Sequence, residues 1–260
     1  MHYPTIGSTN DAVAEFLSGS GDVRLQPDPS GPARGGRHRR DDVAGIVVVA
    51  DEQTAGRGRR GHAWFSPPGS GLYVSTVLTP ARARADPARA TTLLTLAAGV
   101  AIAEGISAAT GLAVDLKWPN DLVVGRRKLA GILAEGTAHD AIVLGYGINV
   151  ATTAFPPEIS DRATSIQSEL GRAIDRHQVF AETLAALAER YQDLLDGRFD
   201  AILGAWRRRA PRALGARVRW ATQSGEQSGI TEGIDDRGAL LVRVGDRVER
   251  IVSGELVWEI

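Results

Sequence analysis

The chain has 260 residues, no cysteine, 43% hydrophobic residues and a formal net charge of -1. An ordinary apolar content at near-zero net charge excludes global disorder, and the missing cysteine excludes disulfides, thiolate metal sites and a cysteine nucleophile. The five histidines (His2, His38, His62, His139 and His177) are scattered, so zinc chemistry is not expected, and the balanced charge argues against a dedicated nucleic-acid binder.

No cationic start followed by an apolar run opens the chain, so no signal peptide is expected. Ser8-Thr9-Asn10-Asp11 ahead of Ala12, Val13, Phe16 and Leu17 predicts a capped amphipathic helix. Residues 19–42 turn to Gly, Pro, Asp and Arg, with Arg37-His38-Arg39-Arg40 against Asp41-Asp42, and read as a flexible surface loop. GIVVVA at 45–50 is a buried strand, a Gly/Arg loop covers 54–63, and a second strand covers 72–78. Pro87 opens a long apolar helix to about residue 110, with Leu93, Leu96, Ala97 and Val100 on one face. Its uncharged stretch, 90–103, is shorter than the ~18 residues of a membrane span, so a soluble, cytoplasmic protein without a membrane role is expected. Strands are predicted at 112–118, 122–124, 129–133 and 142–146, the middle pair forming a hairpin about Gly125-Arg126-Arg127. Residues 175–195 form an amphipathic helix stopped by Gly197. Beyond Pro211 come short alternating strands at 218–220, 228–234, 239–244, 248–252 and 255–258, the pattern of a small β-barrel. The expected fold is α+β, a mixed β-sheet with packed helices over 1–211 and a small β domain over 212–260.

Three segments carry chemistry. In Gln53-Thr-Ala-Gly-Arg-Gly-Arg-Arg-Gly61, glycines can turn backbone N–H groups toward an anion and arginines add planar donors; a solvated hairpin loop is the plainer reading. Lys117-Trp-Pro-Asn-Asp121 is followed by Lys128-Leu-Ala-Gly-Ile132, and Pro and Asp break the run between two apolar strands. Of the 30 cationic residues only Lys117 and Lys128 are lysine; a compact ammonium suits a single phosphate oxygen, whereas Arg prefers a two-pronged contact. Gly145-Tyr-Gly-Ile-Asn149 ends a strand with glycines that permit close approach of a ligand or of neighbouring backbone.

With Ser8-Thr9-Asn10 and the C-terminal GIDDRGALLV and SGE, these segments occur in an order in which the chain resembles a biotin protein ligase, biotin–[acetyl-CoA-carboxylase] ligase. The resemblance implies a class II synthetase/biotin ligase-like catalytic domain and an SH3-like C-terminal β-barrel. The larger regulatory members carry an N-terminal helix-turn-helix module; here the signature begins at Ser8, so the short ligase-only class is expected. Biotin contacts are implied for Ser8, Thr9, Asn10, Gln53, Arg57, Gly58, Arg59 and Lys128. ATP or adenylate contacts are implied for Arg57, Arg59, Asn120, Asp121, Lys128 and Asn149. Asp121 is the implied Mg²⁺ ligand, and Lys128 and Arg59 the implied catalytic residues. For Trp118, core packing is expected rather than adenine stacking. His62 departs from the family pattern, in which many relatives carry Arg or Lys after the GRGRRG run; histidine is mostly neutral at pH 7.

The implied reaction joins ATP and biotin into biotinyl-5′-AMP, then passes biotin to a lysine on the biotin carboxyl carrier domain of an acyl-CoA carboxylase, by a monomer or homodimer. Two competitors remain: a lipoate–protein ligase with the same adenylate chemistry, and a nucleic-acid binder using Arg207, Arg208, Arg209, Arg212, Arg217 and Arg219. The plainer reading of that patch is a solvated face at the junction of helix and barrel, so no DNA partner is expected.

Overall fold

A computed structural model of the chain describes residues 1–19, 43–137, 140–151, 155–222 and 225–259. The flexible loop expected over 19–42 therefore lies outside the described residues, except Gly19, which ends the first helix in the left-handed region at φ 69°. The elements are β1 (His2–Tyr3), α1 (Thr9–Ser18), β2 (Val47–Ala50), β3 (Gly71–Leu78), α2 (Pro87–Thr110), β4 (Asp115–Lys117), β5 (Asp121–Val124), β6 (Arg127–Gly136), β7 (Ile142–Asn149), α3 (Ile166–Leu170), α4 (Arg176–Leu195) and α5 (Phe199–Arg209). A second set of strands follows: β8 (Leu214–Thr222), β9 (Gly225–Ile234), β10 (Leu240–Val244), β11 (Arg247–Ile251) and β12 (Val257–Trp258).

Among the described residues, β1 to β7 form a seven-stranded sheet in the order β1-β2-β3-β7-β6-β5-β4. The β1–β2 pair is parallel and the other neighbours are antiparallel, which makes the sheet mixed. Side chains alternate between its faces. On β7, Leu144, Tyr146 and Ile148 join the main core with α2, whereas Val143 packs with Ala12 and Val13 of α1. Gly145, Gly147 and Asn149 share the face of Val143, so the glycines lie on the α1 side of the sheet.

The long apolar helix is α2. Asp86 caps it by accepting from the Arg89 backbone N–H at 2.9 Å, and Leu93, Leu96, Ala97 and Val100 are buried as the periodicity requires. By length and composition α2 could cross a membrane, yet 67% of its most apolar window is buried inside the fold. Gly105 lets α4 approach closely: a Cβ there would stand 2.6 Å from the Thr183 backbone nitrogen.

Several elements differ from the sequence expectation. The strand expected at 112–118 shrinks to Asp115–Lys117, because the chain then turns through Trp118-Pro119-Asn120 into β5. β1 and α3 were not foreseen, nor was α5, which buries Phe199, Ile202, Leu203, Ala205 and Trp206 on one face. The C-terminal strands form an antiparallel sheet in the order β11-β10-β9-β8-β12, consistent with an SH3-like domain; no pairing closes it into a barrel among the described residues. The core runs through the junction, since Trp206, Ala210 and Ala213 belong to the same cluster as Leu93 of α2 and Leu240 and Val242 of β10. Trp118 Nε1 donates to the Gly238 carbonyl at 3.0 Å, a tie from the sheet turn to the C-terminal domain.

Candidate active site

A cleft of about 440 Å³ lies on the glycine-bearing face of the large sheet and collects residues from the three chemistry-bearing segments and from Ser8-Thr9-Asn10. At one end the N-terminus of α1 meets β2 and β3. Ser8 sits at the N-cap of α1 in an extended conformation and lines the cleft, but its side chain makes no capping bond, so the expected side-chain cap is absent. Thr9 donates to Gln53 Oε1 from both its backbone N–H (2.9 Å) and its hydroxyl (3.1 Å). Gln53 Nε2 donates to Ser66 Oγ at 3.0 Å. The Ser75 hydroxyl lies 2.7 Å from Thr9 Oγ1 and 2.5 Å from Asn10 Oδ1, and its one proton serves one of them at a time. Asn10 Nδ2 donates to Glu135 Oε2 at 2.7 Å. Ser8, Thr9, Asn10, Ser66 and Ser75 are all buried, so this end is a neutral lining whose donors and acceptors are fixed in advance.

The middle of the cleft depends on missing side chains. A Cβ at Gly145 would collide with the Asn10 amide, and one at Gly147 would stand 2.6 Å from Trp64 Cε2. At Gly131 a Cβ would meet Trp64 Cζ3 at 3.2 Å and Lys128 Cε at 3.1 Å. The glycines of Gly145-Tyr-Gly-Ile-Asn149 thus admit neighbouring side chains, not backbone as the sequence reading allowed. Lys128 Nζ sits 5.3 Å from the centre of the Trp64 ring and 2.6 Å from Asp121 Oδ1.

The far end is cationic. Lys117 projects from β4 into the cleft, and no hydrogen bond or ion pair holds its ammonium among the described residues. Burial pushes that ammonium below the usual lysine range; Asp121 acts against the shift, and Lys128 and Arg212 reinforce it. Arg59 donates to Asn120 Oδ1 at 3.2 Å, and burial with the neighbouring Arg60 depresses its guanidinium, which stays charged. Asn120 Nδ2 donates to the Ile132 carbonyl at 2.7 Å, and Asn149 Nδ2 to the Thr164 carbonyl at 2.9 Å. Trp118 is 3% exposed, which places it in the core as expected. Gly254, Glu255 and Leu256 bring the C-terminal domain to the rim, where Glu255 lies 3.8 Å from His62.

Arg57 does not reach across the cleft. Glu135 and Asp11 hold it, the latter at 3.2 Å, in exposed ion pairs. Gly58 and Arg59 line the cleft beside it; Arg59–Gly61 forms a short 3-10 turn with Arg60 in the left-handed region at φ 56°. Asp121, the expected magnesium ligand, is already paired with Lys128, and the described residues contain no cluster of three potential metal ligands. One carboxylate still fits Mg²⁺ carried in on nucleotide phosphates, since that ion commonly uses one or two protein carboxylates.

Sequence reasoning missed Ser75 and Glu135 and gave Trp64 no role of its own. The arginines from 207 to 219 are largely consumed within the fold. Arg207 bonds the Ile234 carbonyl, Arg209 pairs with Glu104, and Arg217 and Arg219 pair with Glu259, which supports the plain reading of that patch.

Known proteins resemble this chain in sequence and in fold. Residues 37–150 match the Biotin/lipoate A/B protein ligase family, and residues 213–257 match the Biotin protein ligase C terminal domain. A Biotin--[acetyl-CoA-carboxylase] ligase of Paracoccus denitrificans is 39% identical over 206 residues, covering 75% of this chain and 83% of the relative. The Bifunctional ligase/repressor BirA of Bacillus spizizenii is 38% identical over 218 residues, covering 82% of this chain but 66% of its own length. The solved structure of a biotin protein ligase from Aquifex aeolicus in complex with biotin and ATP superimposes with a TM-score of 0.79 at 27% identity, covering 100% of this chain and 97% of that one. The chain belongs to the biotin protein ligase family.

Proposed function

We propose that this chain is an ATP-dependent biotin–protein ligase that makes biotinyl-5′-AMP and transfers biotin to a lysine of a biotin carboxyl carrier domain of an acyl-CoA carboxylase. One observation carries the reading: a single cleft joins a neutral, pre-paired polar pocket to a cationic end, with Lys128 between them. In this reading residues 1–211 bind both substrates, and residues 212–260 complete the rim through Glu255.

The roles follow from the chemistry of the groups. A cyclic urea needs both donors and acceptors, which Ser8, Thr9, Asn10 and Gln53 supply in a confined site. Trp64 offers an apolar wall beside Lys128. In the first step a biotin carboxylate oxygen attacks the α-phosphorus, the P–O bond to the β-phosphate breaks, and pyrophosphate leaves. Lys128 exchanges its contact with Asp121 for the carboxylate and α-phosphate, while Lys117 and Arg59 meet charge on the nucleotide. Asn120 and Asn149 bind the nucleotide, and Asp121 is the residue to hold Mg²⁺. When bound at Asp121, Mg²⁺ would supply charge neutralisation on the phosphates. In the second step the carrier lysine, as free amine, attacks the acyl carbon of the mixed anhydride. The C–N bond forms, the C–O bond to AMP breaks, and the amine gives up a proton. No covalent enzyme intermediate is required, in keeping with a chain without cysteine.

The test is ATP-dependent labelling of a carrier domain with biotin, run beside lipoate. Labelling with biotin alone supports the reading. Labelling with lipoate alone moves the chain to the lipoate branch of the family, and labelling with neither removes the ligase assignment.

A further inference from the structure

A second cavity of about 400 Å³ adjoins the first on the far side of the Trp118-Pro119-Asn120 turn. Arg59, Arg60, Trp118, Pro119 and Asn120 line both cavities, so the Arg59–Asn120 hydrogen bond forms part of the wall between them. The second cavity adds Arg237 and Arg250 from the C-terminal domain and Thr92 and Thr95 from α2, and among the described residues no Asp or Glu lines it. By contrast the first cavity is lined by Asp121 and Glu255 as well as cations.

The arginines of the second cavity keep donors to spare. Arg250 uses Nε to hold Asp235, with no further bond from its guanidinium among the described residues. Asp235 Oδ1 accepts backbone N–H bonds from Arg237 and Ala239, so this carboxylate fixes the turn that presents Arg237. The side chains of Arg60 and Arg237 make no ion pair among the described residues. Four guanidinium groups around a cavity of this size, with the Thr95 hydroxyl beside them, favour a compact polyanion with several oxygens.

We propose that this cavity is a diphosphate site, which receives the pyrophosphate released in the adenylation step. The assignment rests on the ligase reading above for its source of pyrophosphate. Displacement at the α-phosphorus runs in line, so the leaving group departs on the side opposite the attacking carboxylate. With the carboxylate held at Lys128, a leaving group that departs toward the Arg59–Asn120 wall meets residues that line both cavities, and Arg59 can pass the anion from one to the other. The C-terminal domain then serves adenylation directly, through Arg237 and Arg250. Once held there, pyrophosphate stands apart from the anhydride that the carrier lysine must reach.

Titration calorimetry on the whole chain, with pyrophosphate and separately with inorganic phosphate, tests the site. Pyrophosphate should bind the wild-type chain, and more tightly than phosphate does. Charge-assisted hydrogen bonds contribute about 1.5–3 kcal/mol each, so Arg237→Ala should weaken pyrophosphate binding about tenfold or more, with Arg237→Lys recovering part of it. Arg250→Lys keeps a cation beside Asp235 and should weaken binding less than Arg237→Ala does. Absent binding to wild type, equal binding of phosphate and pyrophosphate, or indifference to Arg237→Ala would each overturn the proposal. Because calorimetry needs no turnover, a chain that binds pyrophosphate at Arg237 but fails to label a carrier loses the ligase reading and keeps the anion site.

Discussion

The two ends of the cleft solve opposite problems. Around Thr9, Asn10, Gln53 and Ser75 the side chains are bonded to one another, the residues are buried or nearly so, and the supports include the helix α1 and the strand β3. Around Arg57, Arg59 and Lys117 the charges sit on a loop or at a strand end. Their partners are exposed, borrowed from elsewhere or absent among the described residues. A cyclic urea gains from a lining ordered in advance, because leaving a buried donor unpaired costs about 1–3 kcal/mol. A polyanion that changes charge and leaves as a product needs cations able to release what they hold. Rigidity is therefore spent on recognition, and looseness is kept for turnover.

The sharpest break of this contrast falls on Lys128, where the two ends meet. Lys128→Ala should lower adenylate formation by about 10²–10³-fold, the usual loss when a group meeting transition-state charge is removed. Rapid-quench measurement of biotinyl-AMP checks this, and an unchanged rate would remove Lys128 from the chemistry. Next in size is the packed end. Gly147→Ala places a Cβ against the Trp64 indole with nowhere to go, and overpacking of this kind costs about 1–3 kcal/mol. Biotin affinity should fall about tenfold or more if the strain is taken by the pocket. Gly136→Ala is the control, because nothing stands within 4 Å of its Cβ position. Equal affinities for the two variants would show that the packed end is not rigid.

The third break uses pH at the loose end. Burial holds the Lys117 ammonium below its usual range, so the folded chain gives up this proton at a pH where the unfolded chain keeps it. Between the depressed folded value and 10.5 the unfolded state binds more protons, so this group makes stability rise with pH in that window. Phosphate binding needs the charged form, so the KM for ATP should rise as pH climbs through the depressed value. Lys117→Arg keeps its charge and should flatten that rise. An identical alkaline limb in wild type and variant would exclude Lys117 from ATP binding.

How much of this was legible in the sequence differs between the ends in the same way. Ser8-Thr9-Asn10, Gln53 and Asn120 were named through the resemblance to the ligase family, and Lys128 also through the rarity of lysine among the cations. Ser75 could not be named, because it lies inside the buried strand β3 and its partners Thr9 and Asn10 are 66 and 65 residues away. Glu135 is similar: it is the last charged residue of β6, and its partner Asn10 is 125 residues distant. Strand alternation says which face a residue takes and nothing about what stands opposite. The helix α5 was readable in principle, since Phe199, Ile202, Leu203 and Trp206 recur at helical spacing. Arg207-Arg208-Arg209 at its end drew the segment into a charge-run reading instead. The glycines at 145 and 147 were recognised as tight spots, but only the fold shows that Asn10 and Trp64 fill them.

The smallest break concerns Glu135, whose one carboxylate oxygen accepts from both Asn10 Nδ2 and the loop residue Arg57. Glu135→Gln retains an oxygen for the Asn10 amide, so biotin should bind within about threefold of wild type, since a surviving neutral bond differs from a charged one by under about 1 kcal/mol. Arg57 loses one of its two carboxylates and keeps Asp11. Exposed ion pairs are worth about 0–1 kcal/mol, so thermal stability should hardly change. The loop should nevertheless open more often, and trypsin should cut after Arg57, Arg59 or Arg60 a few times faster in the empty chain. Addition of biotin and ATP should slow cutting of wild type and variant alike, if ligand rather than Glu135 closes the loop. A variant that loses biotin binding outright while its loop stays protected would invert the assignment, making Glu135 part of the rigid end and Arg57 merely its counter-ion.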